Sequence, residues 1–322
     1  MKTLTIPLPT TRAWHAMVLL AAWLMMLPWA ATADDAGPQF AEMAGGTDAL
    51  ADRVVLVTGS TDGMGRELAH ALGALGAHVI VHGRNRERGE AVVAAIEDQG
   101  RGSAEFIAAD FASLDAVQAF ADEVRSRHDQ LHLLVNNAGI WRSGDDDGPR
   151  QESEDGHELV FAVNYLSHYL LTHELATLLE AGAPSRVVNV ASRAQTPIDF
   201  EDPMLERDFS EGRAYAQSKL AQILFTIDLA PEFEDRGITV NSLHPASLMD
   251  TTMVRQAGVS PRATVDEGLT ATMQLAVSPD LEGRTGLYFE GLDEARADDQ
   301  AYDAEARRKL RALSDRLTGR AD

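Results

Sequence analysis

From Arg53 onward, short apolar runs alternate with longer stretches in which apolar positions recur every three or four residues. The run RVVLVTG (53–59) reads as a strand buried on both faces and ending in glycine. Met64, Leu68, Leu72 and Leu75 follow at helical spacing. The strand pattern returns at 77–81, 104–109, 131–136, 186–191 and 238–243, with a short strand near 286–289. Helical patterns fill the gaps. One carries Val92, Val93 and Ile96 over 86–99, and one carries Val117, Phe120 and Val124 behind the cap candidate Ser113. Others run over 158–180, over 214–230 with Leu220, Ile223, Leu224 and Ile227 inward, and near 265–277. Strand–helix alternation of this kind predicts an α/β fold: a doubly wound parallel sheet of about seven strands, helices on both faces. With no repeat and no composition break, residues 53–291 read as one domain. The charged segment 292–322 reads as a helical tail on the surface.

The first 33 residues follow a different pattern. Lys2 and Arg12 are the only charges before Asp34, and the apolar run AMVLLAAWLMMLP (16–28) leads to Ala31-Thr32-Ala33. A positive start, an apolar middle and an A-x-A end predict an export signal cleaved after Ala33. The alternative is an uncleaved membrane anchor, although the run is short of the roughly 20 residues a spanning helix needs. Residues 34–52, polar and glycine-rich, read as a linker or loosely docked arm.

Composition narrows the function. Hydrophobic residues are 45% and charged residues 24% of the 322, which excludes a disordered chain or a coiled-coil rod. There is no cysteine, so disulfides, thiolate zinc sites and a cysteine nucleophile are excluded. The formal net charge of −22, or −24 after loss of Lys2 and Arg12, repels nucleic acid and anionic lipid. No nucleic-acid partner is expected, and membrane contact only through the N-terminal segment.

The first strand runs into Thr58-Gly59-Ser60-Thr61-Asp62-Gly63-Met64-Gly65. Gly59 permits a tight turn, Gly63 lets backbone approach a pyrophosphate, and Gly65 lets the helix pack close to the strand. The helix start then offers free N–H groups and a positive dipole to phosphate. Without Gly-Lys-Ser/Thr, this is not a nucleotide-triphosphatase loop.

The spacing T-G-x-x-x-G-x-G, with Asp110, Asn136-Asn137-Ala138-Gly139, Asn164, Ser192 and Tyr215-x-x-x-Lys219 in order, resembles the single-domain short-chain dehydrogenase/reductase family. The stretches 154–158 (EDGHE), 215–225 (YAQSKLAQILF) and 242–245 (SLHP) are similar to its retinol-dehydrogenase-like branch. The resemblance spans about residues 53–290. It implies a Rossmann fold, a nicotinamide coenzyme and no metal. It places Gly59 to Gly65 against the coenzyme, with Asp110 and Phe111 by the adenine and Asn137, Ala138 and Gly139 beside its ribose. It also brings Pro245 and Leu248 past the nicotinamide. A cytosolic coenzyme and an export signal point to different compartments.

By the family pattern, Gly83 takes the position where an acid would bind a ribose 2′-hydroxyl, and Arg84 and Asn85 follow. A guanidinium there can pair with a 2′-phosphate, so NADP(H) is expected over NAD(H), which stays possible. Each residue alone has a plainer reading: Arg84 as solvated surface charge, Asp110 as a turn residue, Ser192 as a cap.

Hydride transfer to a carbonyl leaves charge on oxygen, so an acid must supply a proton. Tyr215 and Lys219, at i and i+4, share a helix face. An ammonium beside a phenol lowers its pKa from about 10. Ser192 would hold the substrate oxygen. By the resemblance, Asn164 sits at a helix kink and holds a water to Lys219. One departure is Ala246 where the family has glycine, with Asp250 near the usual threonine.

Residues 193–213 and 247–261 should line the substrate pocket, with Ile198, Phe200, Met204, Leu205, Leu248, Met249, Met253 and Val254 suiting a lipophilic carbonyl or alcohol. Asp145-Asp146-Asp147 reads as solvated loop charge. The expected function is an NADP(H)-dependent oxidoreductase, with a homo-oligomer possible. The alternatives are a non-catalytic coenzyme-binding sensor and, less well matched, an epimerase or dehydratase.

Overall fold

The computed structural model describes residues 37–141 and 148–320. The proposed leader and the Asp145-Asp146-Asp147 run fall outside these described residues. Eight strands form one sheet in the order β3-β2-β1-β4-β5-β6-β7-β8. They are β1 Val54–Val57, β2 His78–Gly83, β3 Ser103–Ala108, β4 Leu133–Asn136, β5 Ser185–Val190, β6 Ile238–His244, β7 Tyr288–Glu290 and β8 Asp293–Ala295. All neighbours are parallel except β7 and β8. The central strands are buried on both faces, which is why they read as near-continuous apolar runs.

Two helical layers cover the sheet. On one side lie α1 (Gly37–Ala44), α2 (Gly63–Ala74), α3 (Arg86–Gln99) and, further along the chain, α10 (Val265–Val277). On the other lie α4 (Leu114–Arg127), α5 (Leu159–Phe161), α6 (Ser167–Glu174), α8 (Glu211–Glu234) and α11 (Ala304–Leu317). Two short helices, α7 (Ala176–Ala181) and α9 (Thr252–Gln256), complete the chain order. Among the described residues no helix is long and apolar enough to cross a membrane.

Three details differ from the sequence expectation. The segment read as a linker contains α1, whose Phe40 is 1% exposed. The tail is not merely a surface helix. Asp293–Ala295 adds an eighth strand, and α11 buries Ala306, Leu310 and Leu313 against the main core. The long helix expected over 158–180 is broken by a π-turn at Ala162–Leu166, where the resemblance to the family puts a kink at Asn164, and again, without such a signal, at Leu175.

Candidate active site

The glycine turn sits where β1 ends and α2 begins. Gly59 has φ +66°, and a Cβ there would come within 2.8 Å of the Ala138 Cα. At Gly65 a Cβ would come within 2.4 Å of both Asn137 Nδ2 and the Gly59 carbonyl. These contacts press the turn onto the end of β4, and no side chain can intervene. Asp62 caps α2, accepting from Gly63 N at 2.7 Å, and its other oxygen pairs with Arg88 at 3.2 Å. The first-turn amides of Met64 and Gly65 have no intrahelical acceptor, as at any helix start. Beside the turn, a cavity of about 330 Å³ is lined by Thr61, Asp62, Arg66, His70, Arg88 and Thr252, among others.

Thr58 opens the glycine motif, and neither it nor His82 nor His168 has an assigned role in the sequence, yet all three hold this turn. Thr58 Oγ1 accepts from Asn137 N and Ala138 N, each at 2.9 Å. Buried His168 lies 3.0 Å from the Asn164 carbonyl through Nδ1 and 3.0 Å from Thr58 Oγ1 through Nε2. A carbonyl only accepts, so the ring proton is on Nδ1 and Nε2 accepts from the Thr58 hydroxyl. His82 Nδ1 accepts from Gly59 N at 3.1 Å. Burial pushes both imidazoles down to about 3, so they are neutral. No spacing rule marks the two histidines, because Thr58 and Gly59 reach them from the end of β1.

Ser60 is buried and accepts from His82 N at 3.0 Å. Thr61 packs on Gly83, where a Cβ would meet its Cγ2 at 2.6 Å. Arg84 is exposed beyond the end of β2, with Nη1 3.5 Å from Asp110 Oδ2. Asn85 caps α3 through Arg88 N. Asp110 also accepts from Ala112 N at 3.0 Å. The Phe111 ring points into the core and stacks on His82 at 4.0 Å, so it offers a nucleotide only its backbone.

On the same sheet edge, Ser192 follows β5, and Tyr215 and Lys219 lie on α8. The Tyr215 hydroxyl faces Ser192, which favours its ionised form. Lys219 Nζ lies 5.7 Å from the Tyr215 ring centre and donates to the Val190 carbonyl and to Gln222 Oε1, both at 2.8 Å. The expected acidified phenol is not what the pocket produces. Burial pushes Tyr215 up, against the effect of Ser192, and pushes Lys219 down to about 7. Low-dielectric surroundings penalise both charged forms, the phenolate and the ammonium.

Asn164 stands in the π-turn. Its amide brackets Ile140, accepting from N at 2.8 Å and donating to O at 3.1 Å, and also donates to Ser218 Oγ at 3.0 Å. A Cβ on Gly139 would lie 3.3 Å from Asn164 Oδ1 and 3.7 Å from Lys219 Nζ, so these three residues adjoin.

Pro245 is buried directly after β6. Ala246 does not have positive φ, so alanine is unstrained there, whereas Leu248 has φ +51°. Asp250 is exposed and paired with Arg255 at 2.7 Å, while Thr251 caps α9 and lies against Gly63. Of the expected pocket lining, Ile198, Leu205 and Val254 are buried in the protein interior, and Met249 Sδ packs toward Gly268. Phe200 and Met204 are partly buried against the core.

The family model described as short chain dehydrogenase matches residues 53–260. The chain belongs to the short-chain dehydrogenase family. This short-chain dehydrogenase is 35% identical to retinol dehydrogenase 14 of Mus musculus, covering 94% of this chain and 97% of that protein. It is 38% identical to polyprenol dehydrogenase of Mus musculus, over 83% and 84%. A short-chain dehydrogenase from Shigella flexneri, solved in complex with NADP, superposes with TM-score 0.63 at 26% identity, covering 77% of this chain and 100% of that one. The fold and the family agree with the sequence reading, and the chain is a dehydrogenase/reductase.

Proposed function

We propose that the protein is an NADP(H)-dependent oxidoreductase acting on a lipophilic primary alcohol or its aldehyde, with Tyr215 as acid and base. The observation that carries the reading is the convergence of Tyr215, facing Ser192, and buried Lys219 on one sheet edge with the glycine turn.

The residues fit a nicotinamide coenzyme. The turn is pressed flat by contacts that exclude side chains, a helix start faces it, and an exposed guanidinium stands past β2. Gly59 to Gly65 and the Asn137-Ala138-Gly139 segment would hold the pyrophosphate and adenosine, and Arg84 the 2′-phosphate. The bound coenzyme supplies or accepts the hydride. Ser192 orients the substrate oxygen by hydrogen bond. Tyr215, kept protonated by burial, gives its phenol proton to that oxygen as negative charge develops there. Lys219, at about 7, changes protonation near neutrality and can pass a proton on beside Asn164. The names of the two murine relatives favour an isoprenoid chain on the alcohol.

Loss of reduced-nicotinamide absorbance with NADPH across retinal, short prenals and small aldehydes tests this. Tyr215→Phe should reduce kcat by at least about 1,000-fold while coenzyme affinity stays within a few-fold. Residual turnover near the wild-type level would remove Tyr215 from this role. Tight coenzyme binding with no turnover on any substrate would favour a sensor instead.

A further inference from the structure

The N-terminal edge of the sheet, opposite the edge that carries Tyr215, holds a second cluster. His78 opens β2 and Ser103 opens β3, and parallel pairing sets His78 beside Ser103 and Ile80 beside Glu105. His78 and Glu105 therefore share one face of the sheet. His128, the residue that ends α4, closes over them. His78 Nε2 lies 3.4 Å from Glu105 Oε1, and His128 Nε2 lies 2.6 Å from the same oxygen. The three atoms are all within 4.8 Å of one another.

We propose that His78, Glu105 and His128 form a binding site for a divalent transition cation, with zinc the best match. Two imidazole nitrogens and one carboxylate oxygen form a common zinc donor set, with a fourth position left to solvent. Bond lengths of about 2.0–2.2 Å place tetrahedral ligands about 3.3 Å apart. The His78–Glu105 spacing already meets that, and the rest of the triad closes on it with side-chain adjustments of about an ångström. The supporting contacts orient the donors. His78 Nδ1 is 2.8 Å from Ser103 Oγ, which leaves Nε2 facing the cluster when Nδ1 carries the proton. Arg127 holds the other Glu105 oxygen, which fixes the carboxylate with Oε1 toward the two rings. Side-chain exposures of 32%, 22% and 12% for His78, Glu105 and His128 leave room for an ion to enter while limiting competing water. Hard oxygen-seeking ions such as magnesium match a two-nitrogen set poorly. The ion would tie β2, β3 and α4 together far from the reaction centre, so its role is to brace the fold.

The test uses full-length protein made without a histidine tag, stripped with EDTA and titrated with zinc chloride by calorimetry. One saturable zinc per chain is expected, with a zinc-dependent rise in Tm. His78→Gln and His128→Gln should each weaken binding at least about 10-fold, and Ser103→Ala about 10-fold or more by freeing the His78 ring. Cobalt substitution of the wild type should give the intense visible bands of a four- or five-coordinate site, and these should vanish in His128→Gln. No saturable zinc site in the wild type overturns the proposal, as does unchanged affinity in the His78→Gln/His128→Gln double variant. If a variant fails to fold, the wild-type cobalt spectrum decides: only weak six-coordinate bands would refute the site.

Discussion

In the proposed function, Arg84 carries the coenzyme choice. Its guanidinium is 68% exposed and its ion pair with Asp110 is long, so little stability rests on it. Arg84→Ala should therefore leave Tm nearly unchanged and raise KM for NADPH by about 10-fold or more, with KM for NADH little altered. Equal effects on both coenzymes would defeat the assignment. The neutral buried histidines make a separate prediction. His82 and His168 have folded values near 3, below the ordinary 6.5. The unfolded chain therefore binds more protons between those values, and stability falls as pH drops from about 6.5 toward 3. Above 6.5 this contribution is complete. Urea unfolding measured across that range should show the loss, on the order of a few kcal/mol per residue at most. His168→Asn should flatten the curve, at the cost of loosening Thr58. A pH-independent midpoint would show that these rings are hydrated or charged in solution.

The elements most legible in the sequence are those whose surroundings repeat. Strands buried on both faces leave apolar runs, and the apolar period near 265–277 marks α10, whose start is closed by a capping box of Thr264 and Glu267. Elements fixed by distant partners were not legible. The π-turn at Ala162–Leu166 leaves no trace in the periodicity, and only the family resemblance, through Asn164, places a kink there. Helix α1, GPQFAEMA, lies in a segment whose glycines and polar residues suggest a linker, and it buries Phe40 and Ala41. Strand β8 is built from Asp293, Glu294 and Ala295, with no strand propensity, and exists because β7 offers it an edge. Among the proposed catalytic residues, type and order come from the sequence, whereas protonation depends on burial. Helix α11 is highly charged in sequence, yet Leu310 is 2% exposed and Tyr165 bonds Ser314 at 2.7 Å. Leu310→Ala should cost about 2–5 kcal/mol, as a core truncation does, and a surface helix would lose far less. Denaturant midpoints of the variant and wild type decide between them.

At the scale of the molecule, one core reaches from Leu56 in the first strand to Leu313 in the last helix. The catalytic edge and the His78–Glu105–His128 edge are opposite ends of the same sheet, and α11 packs on α8, the helix that carries Tyr215 and Lys219. Such a body should unfold as a unit, with no separable tail. Loss of turnover, loss of far-ultraviolet helicity and loss of tryptophan and tyrosine signal should coincide in one urea transition. Removing residues 304–322 should then lower that single midpoint for the whole protein, because Ala306, Leu310 and Leu313 leave the core together and expose the outer face of α8. Saturating NADPH should raise the midpoint of the full-length protein, the added stability being the amount mass action sets, roughly 2.7 kcal/mol at 100 times its Kd. An early transition confined to helicity, with activity retained through it, would show the last helix to be an independent appendage and would contradict the shared core.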